Sequence, residues 1–131
     1  MRILLDTSGY SAFMRGHEGA LDLVQRAELI AISPVVLGEL LAGFRLGKRS
    51  RKNRELLDRF FASPRVVSVP VDEGTATRYS DIVEYLQRAG TPIPSNDLWI
   101  AASAMQHGLI LVSTDHHFEK VPQVSKEILL A

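Results

Sequence analysis

The sequence is 131 residues long, enough for one domain (1–131) around one hydrophobic core. Apolar residues make up 46% and charged residues 23%, which excludes a disordered chain. Lys plus Arg number 15 and Asp plus Glu number 15, so no global field draws the chain to a polyanion, and the lack of cysteine excludes disulfides and thiolate metal sites.

Arg2 to Leu5 reads as a short buried strand ended by Asp6. Its apolar run is too short for a signal peptide, and no later segment is long enough to span a bilayer, so the expected location is the cytoplasm. Thr7 or Ser8 is the expected cap of a helix running to about Met14. Gly16 breaks it, and Glu18 to Ala27 follows as a second helix with Ala20, Leu21 and Val24 on its apolar face. Leu29 to Ile32 is a second strand. Ser33-Pro34 opens a third helix, Ser capping and Pro in the first turn, which Gly47 stops after Leu46. A fourth helix starts near Ser50 and ends before Pro64, with Leu56, Leu57, Phe60 and Phe61 on its apolar side. Arg65 to Val69 is a third strand, and Asp72 to Ala89 a long helix closed by Gly90 and Pro92. Ser95 or Asn96 is the expected cap of a last helix ending at His107 and Gly108. Leu109 to Val112 is a fourth strand, and a fifth is expected from Val124. Strands alternating with helices predict a three-layer α/β/α domain with a mainly parallel sheet of four or five strands.

Four acids stand where a solvated surface would not put them: Asp6, Glu39, Asp97 and Asp115. Asp6 and Asp115 each close a strand, and in an open α/β sheet the ligand crevice lies at the carboxyl ends of the strands. If the first and fourth strands are neighbours, the two carboxylates face each other. Glu39 and Asp97 lie in helices. Their neighbours three and four residues away are Val35, Val36, Ala42 and Gly43 in one case and Ile93, Pro94, Ile100 and Ala101 in the other. A carboxylate on an apolar face needs compensation, and a hard cation such as Mg²⁺ or Mn²⁺ supplies it through oxygen ligands. Taken singly, Asp6 and Asp115 also fit caps or turns, and Asp97 also fits the positive end of a helix.

The segments Asp6-Thr7-Ser8, Glu39 in the Ser33-Pro34 helix, Asn96-Asp97-Leu-Trp-Ile-Ala-Ala and Leu111-Val-Ser-Thr-Asp115-His-His-Phe118 together resemble the motifs of PIN domains. The resemblance is strongest to VapC-type toxins and covers essentially the whole chain. It implies a Mg²⁺-dependent (or Mn²⁺-dependent) endoribonuclease in which the four acids hold metal. It also implies a homodimer and a cognate antitoxin protein as partner. Ser8, Asn96 and Ser113 are the expected supports that orient the acids.

Arg45, Lys48, Arg49, Arg51, Lys52 and Arg54 form a basic run with no acid among them. Such a run serves solvation or an RNA backbone, and three of its members sit where the helix macrodipole disfavours them. His17, His107, His116 and His117 show no metal-ligand spacing and are expected at the surface or at helix ends. Trp99 is expected in the core, and Phe13, Met14 and Phe60 in the core or along a partner groove. Two other readings fit the same sheet. A phosphatase or phosphotransferase would use Asp6 as nucleophile, although position 8 is Ser where such enzymes carry a second Asp. A non-catalytic RNA-binding module would leave the acids idle.

Overall fold

Short apolar runs build the centre of the molecule: Ile3, Leu4, Leu5, Ile30, Ala31, Ile32, Leu111 and Val112 are all sealed from solvent. In the computed structural model, which describes residues 1–130, they belong to the three central strands of a five-stranded sheet. The five strands are β1 (Arg2–Leu5), β2 (Leu29–Ile32), β3 (Val66–Ser68), β4 (Ile110–Ser113) and β5 (Lys126–Ile128). Every adjacent pair is parallel, in the order β3-β2-β1-β4-β5. Parallel strands need cover on both faces, which is why β1, β2 and β4 carry apolar residues with no polar alternation.

The cover is six helices: α1 (Thr7–Met14), α2 (Glu18–Arg26), α3 (Pro34–Leu46), α4 (Ser50–Phe61), α5 (Glu73–Ala89) and α6 (Ser95–His107). A 3₁₀ helix (His116–Lys120) joins β4 to the last strand. From β1 the chain steps outward to β2 and β3, then crosses back over β1 to reach β4. Right-handed crossovers in opposite directions put α1 to α4 on one face and α5 with α6 on the other. The switch point therefore lies between β1 and β4, as the sequence implied, and a crevice opens there at the carboxyl ends of the strands.

Local chemistry sets the helix ends. Ser33 accepts a hydrogen bond from the Val36 amide and Pro34 follows, so α3 begins where expected. Asp72 and Thr75 cap α5 reciprocally, and Gly90 and Gly108 close α5 and α6 in the left-handed region that glycine adopts without strain.

Several details differ from the sequence reading. The cap of α1 is Asp6, whose Oδ1 accepts from the Gly9 amide; Thr7 and Ser8 spend their hydroxyls elsewhere. Neither Ser95 nor Asn96 caps α6: both lie inside the helix, the cap position is Pro94, which has no side-chain acceptor, and Asn96 reaches across to α3. In α2 the buried face is Ala20, Leu23 and Val24, while Leu21 is 41% exposed. Trp99 is only half-buried and stacks on Tyr79, ring centroids 4.1 Å apart.

Central-strand packing should dominate stability. Leu4→Ala in β1 should lower unfolding free energy by about 2–5 kcal/mol in chemical denaturation. Leu46→Ala, at a side chain 91% exposed, should leave the midpoint unchanged.

Candidate active site

Asp6 is the most constrained polar residue at the switch point, 5% exposed at the end of β1. Its Oδ1 accepts from the Gly9 amide at 2.7 Å and from Ser8 Oγ at 2.7 Å, and its Oδ2 accepts from Ser113 Oγ at 2.6 Å. Gly9 has no room for a side chain, because a Cβ there would collide with the Val112 carbonyl of β4. The β1–β4 ladder, whose register pairs Leu5 with Val112, brings the two strand ends together, and Gly9 lets α1 pack closely over them.

Two serines tie these ends. Ser113 Oγ accepts from the Asp115 amide at 2.9 Å while donating to Asp6, and Ser8 Oγ accepts from the Thr114 amide at 2.9 Å. Asp6 and Asp115 thus share one hydroxyl bridge. Asp115 caps the 3₁₀ helix, accepting from the His117 amide at 2.8 Å. Asp97, in the first turn of α6, enters from the other layer with its side chain 16% exposed. Glu39 comes from α3, half-buried, held by Thr7 Oγ1 at 2.6 Å and Asn96 Nδ2 at 3.1 Å. The apolar setting expected for Glu39 holds only on one side: Val36 is buried, whereas Ala42 and Gly43 are exposed.

The acids sense one another. Burial, first of all, holds the Asp6 carboxyl above its ordinary value of 3.8, against the pull of Ser113, Gly9 and Ser8, with the Asp97 charge adding to the rise. Burial also raises Asp97; Asp115 and Glu39 add to the rise while His117 opposes it. Like charges gathered away from water favour uptake of a proton or a cation.

Two members of this cluster were not expected from the sequence. His117 Nδ1 lies 3.0 Å from Asp97 Oδ2 and 3.2 Å from Asp115 Oδ1, so this histidine belongs to the acidic cluster and not merely to the surface. Asp97, Asp115 and His117 offer ligand atoms all within 4.8 Å of one another. This donor set, two carboxylates and an imidazole beside a third buried carboxylate, suits a divalent cation. Thr7 is the other. Its place directly after Asp6 is the one sequence signal that marks it; for His117 the signal is the step of two residues past Asp115. The remaining histidines match expectation: His17 caps α2, His107 ends α6, and His116 is exposed and paired with Glu119.

Comparison with known proteins gives the family. The model of the PIN domain family matches residues 3–124. The chain belongs to the PIN-domain family. Among curated relatives, Ribonuclease VapC2 of Rickettsia felis is 30% identical over 82% of this chain and 79% of its own. Ribonuclease VapC4 of Mycobacterium tuberculosis is 29% identical over 71% of this chain and 72% of its own. Among solved structures, a chain of VapBC2 from Rickettsia felis, bound to a DNA fragment from its promoter, superposes with a TM-score of 0.83 at 26% identity, covering 97% of this chain and 98% of that one.

Away from its acids, this PIN domain carries two surface features anticipated in the sequence. Arg45, Lys48, Arg49, Arg51, Lys52 and Arg54 are all exposed, and Arg54 is engaged by Asp58 one turn along α4. A groove between α1, α3 and α4 is lined by Tyr10, Met14, Phe44, Arg49 and Leu56. Phe13 and Phe60 lie outside that lining; Phe60 is the hub of a cluster with Tyr10, Phe13 and Phe61 that packs on the core.

The raised carboxyl of Asp97 has a consequence for stability. With its native pKa above 3.8, metal-free protein loses stability as pH rises through the raised value, because the native state then gives up a proton it holds more tightly than the unfolded chain does. Asp97→Asn removes that loss. In chelator, the variant should melt a few degrees above the parent at pH 7, and the gap should close towards pH 3.8. A gap that widens on acidification would show that Asp97 ionises more easily in the fold than out of it.

Proposed function

We propose that this chain is a metal-dependent endoribonuclease and the toxin of a toxin–antitoxin pair, acting through Asp6, Glu39, Asp97 and Asp115. The observation that carries the reading is the convergence of Asp6, Asp97 and Asp115 at the β1–β4 switch point, where burial and neighbouring charge raise the carboxyls of Asp6 and Asp97, in a PIN domain whose curated relatives are named ribonucleases. The solved relatives include VapBC complexes, which supports an antitoxin partner.

Asp97 and Asp115 are the residues that would hold Mg²⁺ or Mn²⁺, with Asp6 and Glu39 completing the negative field. Bound there, the ion supplies Lewis-acid polarisation of the scissile phosphate and lowers the pKa of water. The chain's own residues do the positioning. Ser113 and Ser8 donate to Asp6 and so keep its carboxylate turned into the crevice. Thr7 and Asn96 do the same for Glu39. Water attacks phosphorus, the bond to the ribose 3′ oxygen breaks, and that oxygen leaves with a proton. The products carry 5′-phosphate and 3′-hydroxyl ends. The basic run from Arg45 to Arg54 is suited to the phosphate backbone without reading bases. The groove of Tyr10, Met14, Phe44 and Leu56 is suited to apolar anchors from the antitoxin.

Purified protein should cleave RNA with Mg²⁺ or Mn²⁺ and stop on chelation. Asp6→Asn, Asp97→Asn, Asp115→Asn and Glu39→Gln should each lower the rate at least about a hundredfold while remaining folded. Products ending in cyclic 2′,3′-phosphate would sink the mechanism, since they require attack by the ribose itself.

Binding of RNA to a cleavage-dead Asp97→Asn protein should weaken with salt, and replacing Arg51 and Lys52 by Ala should lower the slope of log affinity against log salt by roughly 1–2. An unchanged slope assigns the basic run to another partner.

A further inference from the structure

We infer that His117 is a nitrogen ligand of the metal site, and that it turns this centre from Mg²⁺ towards Mn²⁺. The inference rests on the nuclease reading of the same site and adds a residue and a metal preference to it.

The backbone at His117 is pinned. Its amide donates to Asp115 Oδ1 at 2.8 Å, and the next residue, Phe118, is fully buried and anchors the 3₁₀ helix in the core. This fixes where the side chain leaves the backbone, at the mouth of the acidic cluster. Nδ1 points between two carboxylates, 3.0 Å from Asp97 Oδ2 and 3.2 Å from Asp115 Oδ1. Two ligands at right angles about an ion with bonds of about 2.1 Å stand about 3.0 Å apart, so the observed separations are those of neighbouring ligands on one ion. His116, one residue earlier, faces Glu119 and takes no part in this cluster.

The chemistry of the donors then decides between metals. Mg²⁺ is hard, takes oxygen and keeps its waters, so an imidazole adds little to its binding. Mn²⁺ and later first-row ions accept imidazole nitrogen as readily as carboxylate. A simple hydrogen bond from His117 to Asp97 and Asp115 would stabilise the empty acids but would not discriminate between ions.

Electron spin echo measurements on the full chain loaded with Mn²⁺ read the ligand directly. Nitrogen modulation from a coordinated imidazole is expected in the parent and in His116→Ala, and should vanish in His117→Gln. Calorimetric titration of the metals alone should show Mn²⁺ bound more tightly than Mg²⁺ by the parent. His117→Gln should weaken Mn²⁺ by about tenfold or more and Mg²⁺ by less than about threefold. Thermal melting confirms that both variants fold. Absent nitrogen modulation in the parent, or equal losses for both ions, would overturn the role of His117 and leave the nuclease reading standing. Absence of metal-dependent RNA cleavage by the parent protein would instead overturn the nuclease reading. Failure of the parent to bind Mn²⁺ at all would overturn both.

Discussion

The structure depends on satisfying one carboxyl, Asp6, that is only 5% exposed. An ionised group removed from water is strongly disfavoured unless several donors replace the lost solvent. Asp6 obtains them from one amide and two hydroxyls, Gly9, Ser8 and Ser113. These donors dictate the rest of the local architecture. The amide comes from the first turn of α1, so the helix must start at Asp6 itself. Ser113 comes from β4, so β4 must lie beside β1. Gly9 must be glycine, since a side chain would push α1 off the Val112 carbonyl and carry the amide out of reach.

The same hydroxyls that satisfy Asp6 also organise its neighbours. Ser113 joins Asp6 to the Asp115 amide, and Ser8 joins it to the Thr114 amide. Glu39 and Asp97 come from the two opposing layers, and Asn96 on α6 touches Glu39 on α3 where those layers meet. Both acids therefore approach the crevice from helices packed on a rigid sheet, with neither carried by a long loop. A constellation mounted this way holds its spacing while the charges inside it repel. The repulsion is the functional reserve: a site in which burial and neighbouring charge raise Asp6 and Asp97 is one that a divalent cation relieves.

That reserve works against stability in the metal-free state, and the fold compensates elsewhere. The apolar interior of β1, β2 and β4 is sealed, and Ile82, Leu86, Ile100 and Leu57 pack it from both sides. Functional sites commonly accept such local destabilisation where a well-packed scaffold bears it. The surface is the opposite case, with exposed i,i+4 pairs such as Arg26 with Asp22 and Arg88 with Glu84 contributing little.

Much of this was legible in the chain itself. Apolar runs bounded by Ser, Pro, Gly and Asp marked every strand and α-helix to within a residue or two, though not the 3₁₀ helix, because burial on both faces and the geometry of helix ends are local demands on side-chain type. The four acids stood out for the same reason: a carboxylate among apolar neighbours, or directly after a buried strand, is locally improbable. Other facts were set only by the tertiary structure. Which hydroxyl serves which carboxylate depends on segments more than a hundred residues apart, as with Ser113 and Asp6, and Thr7 turns to Glu39 because α3 happens to pass there. Trp99 lies half-exposed on Tyr79 because α5 packs against α6 at that face. His117 reaches Asp97 only because β4 delivers the 3₁₀ helix to the start of α6. Local sequence specifies what a residue needs from its surroundings; the sheet order decides which partners are close enough to supply it.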